Sequence, residues 1–370
     1  MTLIANNESG LTVRKKLNSL FPGYYFRDTQ WAIKGMSTAA HRYTLKTPNM
    51  LSCTILNSAI MYLESQQELA LSASATYDRV SVTDWAVAAN RAGKQFFVYV
   101  YDDLSGTIKF VVSDNATLPN NGGNPNIYTT ANTRRIASFH CLCAAVGTIS
   151  GHTLTGFAAG DILPYSISDL LFEPDCVDIS GMVYDPKGRI WVDIYMASGT
   201  GASTASINGA TISDTRNWMD FVDDFGAVGK KLLTDIEFQL AAAGSNEETN
   251  IVGSADPVTT GGHSDTVGRR MISNIGCEDM CGALYQWLET PSAKLDDGTA
   301  GIMINLPGSK GSLYTYGTNG YGNTQLLAGG AWNDASYCGS RSRSAANCRW
   351  VTASSIGGRG AARSRNSIFA

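Results

Sequence analysis

Gly329–Gly360 reads GGAWNDASYCGSRSRSAANCRWVTASSIGGRG, two tryptophans and four arginines set among small polar residues. Without those large side chains the stretch would pass for a flexible linker. Glycines at 329, 330, 339, 357, 358 and 360 permit backbone conformations and close approaches closed to other residues. Trp332 and Trp350 each offer a large apolar area for burial, while Arg341, Arg343 and Arg359 carry planar multi-donor groups suited to loop carbonyls and carboxylates. The reading is therefore a shaped loop region with a fixed frame, in which Arg341 and Arg359 are buried. The competing reading of the arginines is a solvated basic tail that continues through Arg363 and Arg365, where single surface ion pairs would contribute little.

The whole chain can support such a frame. Its 370 residues are 44 % hydrophobic and 16 % charged, enough for two or three cored domains. The 28 basic and 32 acidic side chains leave a net charge of −4, which argues against nucleic acid or anionic lipid as the main partner. No segment reaches the length of a membrane span, so no membrane insertion is expected. The start, MTLIANNESGLTVRKKLNSLF, lacks the order of basic region, apolar run and small-residue cleavage site, so export by a signal peptide is not expected. Eight irregularly spaced cysteines do not make a disulfide scaffold, and most read as buried thiols. Cys141 and Cys143 share one side of a strand-like run, and Cys277 and Cys281 are one helical turn apart or lie in a loop. Neither pair has a His or Cys partner at zinc spacing, so no metal and no cofactor is expected. His41, His140, His152 and His263 are scattered and read as surface or satisfied core residues.

Composition divides the chain into three parts and gives an α+β fold class. Residues 1–45 mix the amphipathic LTVRKKLNSLF with turn-rich aromatic sequence that spacing alone leaves open, a short β-rich or intertwining N-terminal segment. Residues 46–165 carry short β-rich runs, CTILNSAIMYL, QFFVYVYDD, TIKFVVS and RRIASFHCLC, between Gly, Asn, Asp and Pro clusters, which predicts a small β-sandwich. The unbroken apolar run QFFVYVY predicts a central strand covered on both faces. In residues 166–370 the rhythm changes. SGMVYD and RIWVDIYMA predict a strand pair joined at PKG. Trp218, Phe221, Val222 and Phe225 fall at helical spacing, and a second helix is announced by Thr234 and Glu237 as a capping box. Beyond Gly244 little periodicity survives, yet Tyr285, Trp287, Tyr314, Trp332 and Trp350 recur, so the long loops are expected to be packed.

The succession GKKLLTDIEFQLAAAG, NIGCEDMCGALYQWLE, LLAGGAWNDASYCGSRSR and IGGRGAAR resembles the C-type-lectin-like fold shared with formylglycine-generating enzymes. More closely it resembles the major tropism determinant family, phage receptor-binding proteins of the tail-fibre tip diversified by retroelements. ISDLLFEPDCVDISGM, RIWVDIYM, DPVTTGG, GSLYTYG and GGRG occur in the family's order, and the resemblance covers about Val98 to Arg363. It implies a C-terminal lectin-like domain that binds a host cell-surface receptor, protein or glycan. It also implies a homotrimer joined to other tail-fibre proteins, located in the virion and not an enzyme.

The resemblance further implies that adenines in the template of the C-terminal loops are rewritten, while scaffold positions stay fixed. Carried over residue by residue, the variable positions are Ala331, Asn333, Asp334, Ala335 and Tyr337, then Ser344, Ala346, Asn347, Val351, Ala353, Ser355 and Ile356. Each of these types is reachable from an Asn codon ending in C by replacing adenines, and Lys, Gln, Glu, Met and Trp, which are not reachable, are absent from these positions. Trp332, Arg341, Trp350 and Arg359 become the scaffold.

Two other functions fit the same fold. A formylglycine-type oxidase needs a close redox-active cysteine pair in a groove, whereas the C-terminal cysteines here, Cys338 and Cys348, are ten residues apart. A cell-surface variable lectin-like protein would need export. Calcium-mediated sugar binding finds no Glu-Pro-Asn-like ligand set in the loops, since Glu173, Pro174 and Asp175 lie at the domain entrance.

Overall fold

In the computed structural model, the residues described are 44–46, 50–54, 60–64, 68–70, 87–102, 108–119, 128–130, 133–169, 172–293, 302–305, 311–315 and 323–365. The expected N-terminal segment, 1–45, lies outside them except for Thr44 and Leu45, as does His41. The chain forms two compact units, mostly β with few helices. Residues 1–142 and 159–173 make the first unit, and residues 143–158 and 174–370 the second. The boundary expected after residue 165 thus falls after Glu173, and Cys143–Ala158 joins the second unit. Polar contacts explain that assignment: His152 Nε2 meets the Ile272 carbonyl at 3.1 Å, the Thr153 amide donates to Asn274 Oδ1 at 3.3 Å, and the Cys143 thiol donates to Glu278 Oε1 at 3.3 Å.

In the first unit β1 (Thr44–Lys46) pairs antiparallel with β4 (Glu68–Ala70), and β2 (Met50–Thr54) with β3 (Ile60–Glu64). The one-turn helix α1 (Ala88–Arg91) precedes β5 (Gln95–Asp102), β6 (Ile108–Ser113), β7 (Thr133–His140) and β8 (Ser168–Asp169). These four strands form an antiparallel sheet in the order β6-β5-β7-β8, so QFFVYVY is an inner strand. Phe96, Phe97, Val98 and Tyr99 are all buried, successive residues on opposite faces, as a doubly covered strand requires.

In the second unit β9 (Met182–Asp185) and β10 (Ile190–Asp193) form the expected hairpin, with the Lys187 amide donating to Asp185 Oδ1 at 2.9 Å in the turn. Helix α2 (Trp218–Ala227) buries Phe221 and Phe225, four residues apart, against Ala197, Leu232, Trp287, Leu327 and Ile356. Val222, expected on the same stripe, faces outward, because the buried face follows the i, i+4 pair. Asn217 and Asp220 close the helix start as a capping box. After β11 (Lys231–Leu232), helix α3 (Asp235–Ala241) begins at the foreseen capping box, in which the Glu237 amide donates to Thr234 Oγ1 and the Thr234 amide to Glu237 Oε2.

The remaining strands are β12 (Tyr285–Ala293), β13 (Ile302–Asn305), β14 (Ser312–Thr315), β15 (Asn323–Gly329), β16 (Gly339–Ser344), β17 (Ile356–Gly357) and β18 (Gly360–Ala362). They build a six-stranded sheet, β13-β14-β16-β15-β12-β17, and complete a four-stranded one, β11-β18-β10-β9. Cys141, Cys277, Cys281 and Cys338 are buried, and Cys143, Cys176 and Cys348 are half-buried, all as free thiols.

Candidate functional site

The segment 283–285 at the head of β12 carries two loops. On one side Ala283 forms a parallel bridge with Ala331 and accepts from the Trp332 amide at 2.8 Å. On the other the Tyr285 amide donates to the Ser355 carbonyl at 2.9 Å, and Tyr285 stands in register with Ile356 of β17. Loops far apart in sequence are thereby anchored two residues from one another.

The first loop leaves β15 through Gly329 and Gly330, at φ of +96° and +81°. A Cβ on Gly330 would stand 2.8 Å from Cys338 Sγ, and one on Gly329 would stand 2.4 Å from the Met280 carbonyl, so both positions need glycine. The chain then closes on itself. The Ala331 amide donates to Asp334 Oδ2 at 2.8 Å, the Asp334 amide to the Ala331 carbonyl at 3.1 Å, and the Cys338 thiol to that same carbonyl at 3.3 Å. Asp334 also receives the Tyr285 hydroxyl, and its burial pushes its carboxyl above the usual range. Trp332 is half-buried on Met196, Ile212, Ile251, Met271, Ala283 and Leu284, and its carbonyl accepts from the Asn250 amide group.

The second loop follows β16. The Gln325 amide donates to the Asn347 carbonyl at 3.2 Å, and Thr324 forms a bridge with Cys348. A turn at Cys348–Val351 is closed by the Val351 amide at 3.1 Å. Val351 and Ala353 lie half-buried against the Phe221–Phe225–Trp287 cluster, and the Thr215 amide reaches the Ala353 carbonyl at 3.2 Å.

Arg359 is the keystone of the frame at 1 % exposure. Its Nε donates to Gln286 Oε1 at 2.9 Å, one terminal nitrogen to the carbonyls of Asp193 and Ile194 at 2.8 and 2.6 Å, and the other to the Glu278 carbonyl at 2.6 Å. Burial pulls its pKa down. Arg343 is also buried; it meets the Ser340 and Ser342 carbonyls at 3.1 and 2.8 Å, pairs with Asp235, and lies 5.1 Å over the Phe238 ring.

Two scaffold expectations need correcting. Arg341 is exposed, and Arg343 takes the buried role instead. The cause is a register shift: Ala328 faces Arg343 but Gly329 faces Gly339, so one step on β15 spans four on β16 and the bulged stretch turns Arg341 outward. Trp350, expected in the core, is 65 % exposed, because the preceding Arg349 takes the inward position, 4.9 Å over the Trp218 ring.

The candidate variable positions divide in the same way. Asn333, Ala335 and Tyr337 are exposed, Tyr337 at 40 %, and Asp334, Asn347, Val351, Ala353 and Ser355 are partly so. Ala331, Ser344, Ala346 and Ile356 are buried and do not present side chains on the face. Sequence reading missed Arg349, Gln286 and Glu247, which accepts the Ser340 amide and hydroxyl at 3.0 and 2.6 Å. Their partners are distant in the chain, so local spacing carries no signal for them.

Elsewhere in the second unit Arg270 forks onto both Glu278 oxygens at 2.7 Å, and His263 Nδ1 meets Asp279 Oδ2 at 2.8 Å. Burial pushes the Cys143 and Cys338 thiols well up, which disfavours the nucleophilic thiolate. Among the described residues no group of His, Cys, Asp and Glu is placed to hold a metal ion, and no helix is long and apolar enough to cross a membrane.

Residues 53–169 match the family model described as the Mtd second domain. The tail fiber receptor-binding protein of Bordetella phage BPP-1 is 27 % identical over 273 residues, 68 % of this chain and 66 % of that relative, so the match spans just under two thirds of the relative's length. The fold is similar to the solved Major Tropism Determinant P3c variant, with TM-score 0.63 and 22 % identity over 94 % of this chain and 87 % of that one. The U1 variant gives 0.60 and 22 % over 88 % and 85 %. A family-model match over residues 53–169, a similar tail-fibre protein and a shared fold along nearly the whole chain make this chain similar to the major tropism determinant proteins, with a C-type-lectin-like fold.

Proposed function

We propose that this chain is a phage receptor-binding protein that adsorbs the virion to a host surface receptor through the face built by residues 331–337 and 347–355. One observation carries the reading. The loops are tied to Ala283 and β12, to β15, and to Thr215 and the start of α2 through main-chain amides and carbonyls at Ala331, Trp332, Asn347, Arg349, Ala353 and Ser355. The side chains of Asn333, Ala335, Tyr337 and Asn347 are consequently free to differ without disturbing those ties. Small polar residues with an occasional aromatic make a contact surface of the kind antibody loops use. The β-rich first unit, with the sandwich expected over 46–165 and the segment 1–45, is the fibre-side module of a homotrimer carried at the tail-fibre tip, where further tail-fibre proteins are its partners. The chain is not an enzyme on this reading: its buried thiols are poor nucleophiles, which weighs against an oxidase.

The test is a library of full-length chains randomised at Asn333, Ala335, Tyr337 and Asn347. Variants should melt near the parent's temperature while the strains to which they adsorb change. Unchanged adsorption across the library would remove the assignment of the face. Light scattering should return three times the chain mass, and a monomer mass at micromolar concentration would exclude the trimer.

A further inference from the structure

Trp350 is the largest exposed apolar side chain among the described residues, whereas Trp191 and Trp287 are fully buried. It sits on a turn held from both sides. The Val351 amide closes the turn onto the Cys348 carbonyl, Cys348 bridges to Thr324, and the Asn347 carbonyl holds the Gln325 amide. Next to the indole, the Arg349 carbonyl accepts from the Trp218 amide at 2.9 Å, while its guanidinium stacks on the Trp218 ring and reaches Gln325 Oε1 at 3.4 Å. The backbone under Trp350 has therefore already lost its freedom, and contact with a partner would immobilise little more than two side-chain torsions. Partly exposed Asn347, Val351 and Ala353 flank it in the chain, small groups around one large one, the arrangement in which interface energy concentrates.

We propose that Trp350 is a fixed anchor of the receptor contact and inserts into an apolar pocket on a folded protein receptor. The inference rests on the receptor-binding reading of the face. The chemistry of the partner follows from the shape of the group. An indole lying flat on the surface would hide one ring face, and such a platform suits a pyranose ring. At 65 % exposure Trp350 leaves more of its surface open than a ring lying flat would, and a concave, apolar-lined pocket can enclose such a group more fully than a saccharide can.

The experiment uses labelled full-length chain and intact cells of the strain its phage infects, with Trp350→Ala and Trp350→Phe alongside the parent. Trp350→Ala should weaken adsorption about 30-fold or more, and Trp350→Phe by less, with melting temperature and scattering mass unchanged. Protease treatment of the cells should abolish binding by the parent chain, and mild periodate oxidation of surface sugars should not. Equal adsorption by Trp350→Ala and parent would overturn the anchor. Loss on periodate treatment would identify a glycan partner, and a fall in scattering mass would identify a second copy of the chain as the occupant; either overturns the proposal. Failure of the parent chain itself to adsorb would remove the receptor-binding reading and the anchor with it.

Discussion

Replacing Arg359 by Met keeps most of the side-chain volume and removes the guanidinium. Four acceptors, the carbonyls of Asp193, Ile194 and Glu278 and Oε1 of Gln286, then lose a charged donor in a place water does not reach. At about 1–3 kcal/mol for each buried group left unpaired, the gross loss is on the order of 4–12 kcal/mol. Two effects reduce it: the parent pays to desolvate the guanidinium, and Met supplies apolar contact in its place. The net loss should lie near 3–5 kcal/mol, the range seen when one member of a buried charged arrangement is removed. For a unit of about 200 residues that is roughly 6–20 °C in Tm. Arg359→Lys should keep the charge but not the planar fork, and should recover less than half of the loss. The assay is thermal unfolding followed by tryptophan fluorescence, which reports the second unit through Trp191 and Trp287. A Tm within about 2 °C of the parent for Arg359→Met would refute the keystone argument.

Tyr337→Ala and Asn347→Ala should change stability by less than about 0.5 kcal/mol in the same melts, since neither side chain holds the frame. Gly330→Ala should destabilise by about 1–3 kcal/mol, because φ is +81° and the new methyl would meet Cys338 Sγ at 2.8 Å; unchanged melting would show that the loop relaxes there. Burial lowers the His140 pKa to about 3, so the folded imidazole stays neutral while the unfolded one takes a proton near 6.5. The first unit should therefore lose stability as pH falls below about 6.5, by at most about 1.4 kcal/mol per pH unit, and His140→Gln should flatten the profile. His263 has the opposite sign. Its bond to Asp279 raises its pKa against the desolvation that opposes it, so its contribution is present below about pH 6.5 and is lost as pH rises through the raised value. A His263→Asn profile superimposable on the parent between pH 5 and 8 would remove that contribution.

Features encoded by near neighbours were legible in the sequence. The Thr234–Glu237 box, the β9–β10 hairpin and the inner strand QFFVYVY each depend on residues within one short window. Phe221 and Phe225 were readable as a helix face, but Val222 was not separable from them by spacing alone. The site was harder to read. That Arg343 and not Arg341 is buried follows from a bulge between strands that meet only in the folded chain. Trp350 points outward because Arg349 finds Trp218, 131 positions earlier in the numbering, and hydrophobicity could not reveal that competition. Ala331, Ser344, Ala346 and Ile356 look like neighbouring surface residues in sequence, yet the folded chain buries them.

Three of the four oxygens that Arg359 grips belong to the main chain, and Arg343 likewise holds the Ser340 and Ser342 carbonyls. A clamp that addresses peptide oxygens is blind to the identity of the residues that carry them. Drift at Ile194 or Ser342 leaves its geometry unaltered as long as the backbone path survives. Mutational change can therefore accumulate around the clamp and on the exposed loops without a matching change in the arginine, so robustness of the frame and novelty of the face evolve as separate traits.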